Sequence, residues 1–274
     1  MPKDLHSKIQ EAAAYLKKNA NFEPEIAIIL GTGLGDLAKR IKSPKEIAYG
    51  DIPHFPVPTV ASHAGQLVFG MIGNKKVAVM EGRFHFYEGY SLDQVTFPVR
   101  VLRALGAKIL MVSNAAGGLN LNYRKGDLVL IDDHINFMGA NPLIGPNDDR
   151  LGIRFPDMCE TYSKRLIALA EKVAKQKKIS YQKGIYVGVS GPNLETRAEY
   201  RMFRDYADVI GMSTVPEVIV GVHSGMEILG VSVVTDLCDP DHLKPVDIQE
   251  IIKVANEAGP KLIQLFETLI KEQL

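Results

Sequence analysis

The sequence predicts an α/β fold, a single domain over 1–274 with a mixed central β-sheet flanked by helices. Three observations predict it. Short apolar runs of strand length alternate with helical patterns along all 274 residues, and that alternation builds βαβ units around a mostly parallel sheet. Two of the runs, 67–72 and 77–80, are joined by Gly73, Asn74, Lys75 and Lys76; this reads as a hairpin turn, which adds an antiparallel pair and makes the sheet mixed. Apolar residues make up 46% of the chain, enough for a large core, and no break in composition marks a linker.

The elements follow in order. Leu5, Ile9, Ala12, Ala13 and Leu16 fall at helical spacing, so the chain opens on an amphipathic helix. A strand at 26–30 runs into Gly31, Thr32, Gly33, Leu34 and Gly35. After the hairpin, a helix over 93–105 stops at Gly106, a residue suited to the turn past a helix end. A strand at 109–112 leads into Ser113, Asn114, Ala115, Ala116, Gly117 and Gly118. A further strand, 128–131, precedes 139–157, whose Gly, Pro, Asn and Asp read as a long functional loop rather than a boundary. The helix over 161–178 has a basic end that suits its dipole. Strands at 184–189, 209–212 and 228–234 complete the sheet. In the last helix Asp247 is the expected N-cap, with Glu250 three residues on. Gly259 and Pro260 are expected to kink or interrupt it.

Charge and composition exclude several classes. The 32 basic and 32 acidic side chains cancel, whereas a nucleic-acid binder needs a cationic excess, so no nucleic-acid partner is expected. No apolar run approaches the length of a membrane span, and the polar start at Met1, Pro2, Lys3 and Asp4 does not read as a signal segment. Cys159 and Cys238, the two cysteines, form neither a disulfide framework nor a zinc-ligand spacing. The expectation is a cytoplasmic protein without a membrane or metal partner.

The chemistry concentrates where strands end. The small residues at 113–118 are expected to end their strand and leave backbone N–H groups free for an anion at the carboxyl end of the sheet. The same grammar recurs at Gly31 and at Thr235 and Asp236, which suggests one shared cleft. In the run from Gly31 to Gly35 the third glycine comes one residue early for a dinucleotide fingerprint; a glycine-rich turn with the Thr32 hydroxyl suits an oxyanion better. From Gly82 to Tyr90 the chain is dense in polar and aromatic groups. Arg83 offers planar, permanently charged donors, His85 a donor that can add charge, and Tyr87 a ring with a hydroxyl. His54, between Pro53 and Pro56, reads as structural, while His63 precedes Gly65 in a second loop that can approach an anion. Glu195 reads either as a helix-dipole residue or as a functional carboxylate. Met212, Ser213 and Thr214 read either as core and cap or as site residues.

Together these segments resemble the trimeric purine nucleoside phosphorylases. The resemblance is carried by 31–35, 62–65, 82–89, 96–100, 114–118, 133–136, 141–148, 154–156, 191–196 and 211–217, spread over nearly the whole chain in family order. It implies a phosphorylase/hydrolase-like fold and the reversible phosphorolysis of a purine nucleoside to free purine and (deoxy)ribose 1-phosphate. Inosine and guanosine are the expected substrates, and a 5′-methylthioadenosine or methylthioinosine phosphorylase is the alternative. It implies a phosphate shell of Thr32, His63, Arg83, His85, Ser213 and the backbone N–H of Ala115. Tyr87 and Met212 resemble the ribose contacts. Asn114, Ala115, Leu194 and Ile210 join the nucleoside site, with Leu194 where the family often has an aromatic. Glu195 matches the carboxylate that reads the purine, and His85, Glu195 and Asp236 are the residues implied in catalysis. Phe155 resembles the aromatic that one subunit lends to its neighbour, so a homotrimer is implied. No metal or organic cofactor is implied; inorganic phosphate is a co-substrate.

The chain also departs from that pattern. Asp236 stands where the family's guanine- and hypoxanthine-specific members usually carry Asn. An ionised Asp only accepts hydrogen bonds, which suits a 6-amino group and broadens the expected acceptance of adenosine. Glu195 and Asp236 sharing a small site should raise one pKa, and a protonated Asp236 would donate to a 6-oxo group. Ile248 falls where the family has a histidine that reaches the ribose 5′-hydroxyl, and His242 is a candidate replacement. Two other classes compete: nicotinamide-dependent reduction and non-catalytic purine binding.

Overall fold

A computed structural model describes residues 4–31, 35–57, 59 and 65–274. Its helices are α1 (Leu5–Ala20), α2 (Leu92–Ala104), α3 (Lys164–Lys177), α4 (Arg197–Arg204), α5 (Val215–His223) and α6 (Ile248–Glu272). Its strands are β1 (Ile26–Ile29), β2 (Lys42–Ala48), β3 (Gln66–Ile72), β4 (Lys75–Glu81), β5 (Ile109–Gly118), β6 (Leu128–Asn136), β7 (Tyr181–Gly188), β8 (Val209–Gly211) and β9 (Glu227–Leu237). No helix among the described residues is long and apolar enough to cross a membrane.

Side-chain caps set the helix starts. Asp4 Oδ1 accepts from the Ser7 N–H at 2.7 Å, and Ser91 and Gln94 form a reciprocal box at the start of α2, each satisfying backbone donors that the first turn leaves unpaired. Ser163 caps α3, so that helix begins three residues after the start expected from its pattern, and Thr161 and Tyr162 are buried ahead of it. Asp247 caps α6 as expected, through the Gln249 N–H at 2.9 Å. Glu250 does not complete a box; its carboxylate meets Lys125 at 2.5 Å. Nor do Gly259 and Pro260 interrupt α6, which runs through both. Burial of Ala258, Leu262, Leu265, Phe266 and Leu269 holds the helix against the missing N–H of Pro260.

Among the described residues nine strands lie in the order β2-β3-β4-β1-β5-β8-β7-β6-β9, and β9 pairs again with β5. Five strands, β5, β8, β7, β6 and β9, therefore close on themselves. The sheet is more mixed than expected. Antiparallel pairing occurs in the hairpin β3–β4, and also between β2 and β3, β5 and β8, and β6 and β9. Strand β2 has no counterpart in the apolar pattern. It is an edge strand, exposed except at Ile47 and containing Pro44, and an edge needs neither an apolar face nor every N–H.

The run 113–118 corrects the expectation drawn from it. It does not end the strand: β5 continues through Gly118, paired in parallel with β9. Glycine makes this possible. A Cβ on Gly117 would lie 2.5 Å from Cys238 Sγ, and one on Gly118 would lie 2.9 Å from Val234 Cγ1, so only bare backbone fits between the closing strands. The other edge of β5 is open for a stretch. Its pairing with β1 ends at Val112, and its pairing with β8 begins at Gly117. Four residues, 113–116, thus have a strand on one side only.

Candidate active site

The open edge of β5 forms one wall of a cavity. The Ser113 carbonyl points out of that edge, because it accepts from Arg83 Nη1 at 2.7 Å. Backbone groups alternate direction along a strand, so Ala115, two residues on, presents its N–H to the same side. Ser113 Oγ also accepts from the Gly31 N–H at 3.2 Å, which ties Gly31 to β5.

Arg83 enters from the loop after β4 and is 1% exposed. Its Nε donates to Glu217 Oε1 at 3.0 Å, and its Nη2 lies 2.9 Å from the same oxygen, without hydrogen-bond geometry at Nη2. A buried guanidinium requires such a counter-charge. Glu217 comes from the first turn of α5, where a carboxylate also meets the positive end of the helix dipole.

His85 caps the 3₁₀ turn Phe86–Glu88 and bonds Glu88 through Nδ1, 3.0 Å from Oε1. A carboxylate only accepts, so Nδ1 is the donor in this bond. Burial pushes the Glu88 carboxyl up, but bonds from the Thr59 hydroxyl and N–H and from His85 outweigh it and hold the group below its ordinary value. Tyr87 stacks on His85, with centroids 4.7 Å apart and an interplanar angle of 16°.

The turn from β8 into α5 supplies the next wall. Thr214 has φ 69, a strained value for a β-branched residue. Its Oγ1 accepts from Asn114 Nδ2 at 2.9 Å and lies 3.2 Å from Ser213 Oγ. Gly191 lets Met212 approach, since a Cβ there would lie 2.4 Å from Met212 Sδ.

The far end of the cavity is acidic. Glu195 precedes the Thr196 N-cap of α4, and the capping box is completed by Glu199, so Glu195 is not the cap. Burial pushes its carboxyl above the ordinary glutamate value; its own backbone N–H and the Tyr200 hydroxyl oppose this, and Glu199 and Asp236 add to it. Asp236 ends β9, with Oδ1 accepting from Thr235 Oγ1 at 2.8 Å and Oδ2 from the Cys238 thiol at 3.6 Å.

The phosphorylase superfamily matches residues 25–271 of this chain. Purine nucleoside phosphorylase 1 of Bacillus subtilis is 49% identical over 98% of this chain and 99% of its own length. The bovine purine nucleoside phosphorylase is 44% identical over 95% and 93%. The chain belongs to the purine nucleoside phosphorylases. Solved structures agree with this membership. Isoform 2 of the Schistosoma mansoni purine nucleoside phosphorylase, in complex with cytosine and ribose-1-phosphate, superposes with a TM-score of 0.95 at 38% identity, covering 100% and 99% of the two chains. The Schistosoma mansoni enzyme in complex with inosine gives 0.93 at 40%, covering 98% and 97%.

Most residues singled out in the phosphorylase sequence converge. Arg83, His85, Tyr87, Asn114 and Ala115 line the cavity together with Leu194, Glu195, Ile210, Met212, Ser213 and Asp236. Thr32 and His63 lie outside the described residues. Phe155 does not reach the cavity of its own chain. It is 83% exposed beside a separate, larger cleft of ≈ 640 Å³ on the 139–157 loop. Two expectations are corrected. Ile248 does not line the cavity and is 57% exposed; the α6 residue that lines it is Ile251, one turn on. His242 does not line it either; it is held by Asp239 Oδ2 at 2.7 Å. One carboxyl of the pair Glu195 and Asp236 was expected to be raised, and the one that burial pushes upward is Glu195.

Glu217, Tyr200, Cys238 and Ile251 escaped sequence reasoning. One signal existed for Glu217: it is a lone carboxylate in the otherwise apolar helix Val215–His223, and such a charge needs a buried cation. Nothing in the local pattern marked Tyr200 or Cys238.

Proposed function

We propose that this phosphorylase catalyses the reversible phosphorolysis of purine nucleosides, with the 6-oxopurine nucleosides inosine and guanosine as substrates. The products are the free purine and (deoxy)ribose 1-phosphate. The observation that carries the reading is that one cavity holds both a cationic, donor-rich end, Arg83 and His85, and a carboxylate end, Glu195 and Asp236. Few ligands need both. A phosphate anion fits the first, and a purine with its N1–H and N7 fits the second.

The C1′–N9 bond breaks as positive charge grows on the sugar, and a phosphate oxygen bonds C1′. Arg83, His85, Ser213 and the Ala115 N–H hold the anion against that charge, with Thr32 and His63 assigned to the same shell. Tyr87 and Met212 hold the ribose. Glu195 accepts from N1–H, and Asp236 serves N7 and the 6-oxo group of the departing base. Catalysis is placement and preorganised electrostatics, with no covalent enzyme intermediate and no cofactor besides the phosphate co-substrate. That a relative of this fold was solved with ribose-1-phosphate supports the phosphate role. The 5′-methylthio alternative rested on Asp236 and Ile248; Asp236 lines the cavity, while Ile248 does not.

The chain is further proposed to act as a cytoplasmic homotrimer. Its free thiols, Cys159 and Cys238, suit a reducing compartment. Phe155, Ile144 and Ile153 are 83%, 78% and 65% exposed on one loop, and an apolar patch of that kind marks an interface. Phe155 would complete the nucleoside site of the next subunit.

The test is purine release from inosine with and without phosphate, with ribose 1-phosphate trapped as it forms. Phosphate-dependent release is expected. Release that is independent of phosphate overturns the assignment.

A further inference from the structure

The 139–157 loop is seated on two buried basic side chains that the mechanism above does not use. Arg100, on α2, and His223, in the last turn of α5, are 6% and 7% exposed. Arg100 Nη1 lies 3.3 Å from His223 Nδ1. A guanidinium only donates, so Nδ1 accepts, the ring is neutral and its proton sits on Nε2. Neither Nε2 nor Arg100 Nε has a hydrogen-bond partner among the described residues. The loop lies on that face of the ring. A Cβ on Gly152 would lie 2.7 Å from His223 Cε1, 2.8 Å from Nε2 and 2.2 Å from the His223 carbonyl oxygen, so only bare backbone can rest there. Beside it Leu151 packs on the core. Asn147 Nδ2 donates to the Gly152 carbonyl at 3.1 Å. Arg150 pairs with Asp148 and Asp4 at 2.6 and 2.9 Å, but such exposed pairs add little to the hold on the loop.

We propose that Arg100 and His223 form an acid-sensitive latch for this loop, closed while the His223 ring is neutral and opened when it takes up a proton. The proton adds at Nδ1, the one lone pair the neutral ring offers. Nδ1 then faces Arg100 donor to donor, the 3.3 Å bond is lost, and two cations stand side by side out of water. Gly152 covers the ring, so the new charge reaches water only when the loop lifts. Burial and the Arg100 charge push the ring below the ordinary imidazole value, against a lesser pull from the Ile153 backbone. The surrounding charges do not relieve the pair. Asp93 on α2 and Asp148 on the loop act on Arg100, but Asp148 is already taken by Arg150, and His6 on α1 adds a cation near it. Arg103 on α2 donates to the Ser224 carbonyl at 2.9 Å. On the loop, Asp149 accepts from Asn147, and Arg154 donates to the Leu143 carbonyl. Glu217 at the other end of α5 holds Arg83, and Glu227 on β9 holds Arg165. On β6, Asp133 acts on His134. Opening carries Ile153 and Phe155 with the loop, and so withdraws from the next subunit the aromatic assigned to its site.

The chain contains no tryptophan, so Ile153→Trp, at a position 65% exposed, puts a single indole on the loop. Its quenching by acrylamide is read from about pH 8 to about pH 5, across the histidine range, with His223 present and with His223→Gln. The glutamine oxygen still accepts from Arg100 but cannot titrate. With His223 present, the open population should grow by up to about tenfold per pH unit below the ordinary histidine value of 6.5. With His223→Gln it should stay flat. Hydrogen exchange of the unsubstituted chain, corrected for the intrinsic effect of pH, reads the same opening without a variant: amides of 148–155 should lose protection on acidification while those of β5 keep it. A quenching profile that is the same with and without His223, loop protection that does not change, or protection lost from β5 in step with the loop overturns the latch. A loop that opens in acid while KM for inosine holds steady upholds the latch and removes Phe155 from the neighbouring site.

Discussion

Arg83 and Glu217 form an ion pair in the interior, with Nη2 and Oε1 2.9 Å apart and side chains 2% and 3% exposed. The pair sits between the helix start of α5 and the open edge of β5, so it fixes the cationic end of the cavity. Removing one partner of a buried pair strands the other charge, at a cost of about 3–5 kcal/mol. Glu217→Ala should lose about that much stability in denaturant titrations. Arg83→Met with Glu217→Met should be less destabilised than Glu217→Ala, because no charge is stranded, yet should show no phosphorolysis. A double variant as unstable as the single one would count against the charge argument.

Thr214 supports the same wall through its hydroxyl. Thr214→Ala keeps the strained backbone and leaves the buried Asn114 amide without its 2.9 Å partner. The expected loss is about 1–3 kcal/mol, read by urea unfolding, with a fall in kcat as Asn114 and Ser213 lose their anchor. Thr214→Ser, which keeps the oxygen, should recover most of both.

The raised Glu195 carboxyl gives stability a pH signature. The folded chain holds a proton on Glu195 at pH values where the unfolded chain, near 4.5, has released it. Folding is therefore favoured by this group at low pH, and that contribution is lost as pH rises through the raised value. Glu195→Gln cannot titrate, so its Tm should gain on wild type between pH 4.5 and pH 8. Asp236, Glu199, Tyr200 and Cys238 face the same carboxyl, so the difference between the two proteins reports Glu195 together with its coupling to them. The variant should also lose inosine cleavage by about tenfold or more, since a neutral amide is a weaker acceptor for N1–H.

Asp236→Asn supplies a permanent donor for a 6-oxo group. The inosine to adenosine ratio of kcat/KM should rise about tenfold, the value of roughly 1.4 kcal/mol. An unchanged ratio would show that Asp236 does not read the 6-position.

Phe155→Ala tests the shared site. If the aromatic serves a neighbouring subunit, KM for inosine should rise about tenfold while the Tm of the protomer changes little, because the side chain is exposed within its own chain. Sedimentation equilibrium of the wild-type protein should report three copies. A monomer with an unchanged KM in Phe155→Ala would remove the trimer from the account.

The amino-acid order alone was enough for the α/β class, the hairpin, eight of the strands and most cavity residues. Each of these is written locally, as an apolar period, a glycine turn or a cluster of chemically unusual side chains. Edge strand β2 left no such mark because Lys42–Ala48 buries only Ile47. The extension of β5 through Gly118 and its second pairing with β9 were decided in three dimensions. Small residues are compatible with a loop as well as with a crowded strand, and only the approach of Val234 and Cys238 selects the strand. Long-range pairing likewise decided which groups meet: Arg83 finds Glu217 134 positions away, and Tyr200 and Cys238 join one apolar cluster. The partner of a buried polar group is set by what the folded chain brings within hydrogen-bond reach, and no local pattern encodes that distance.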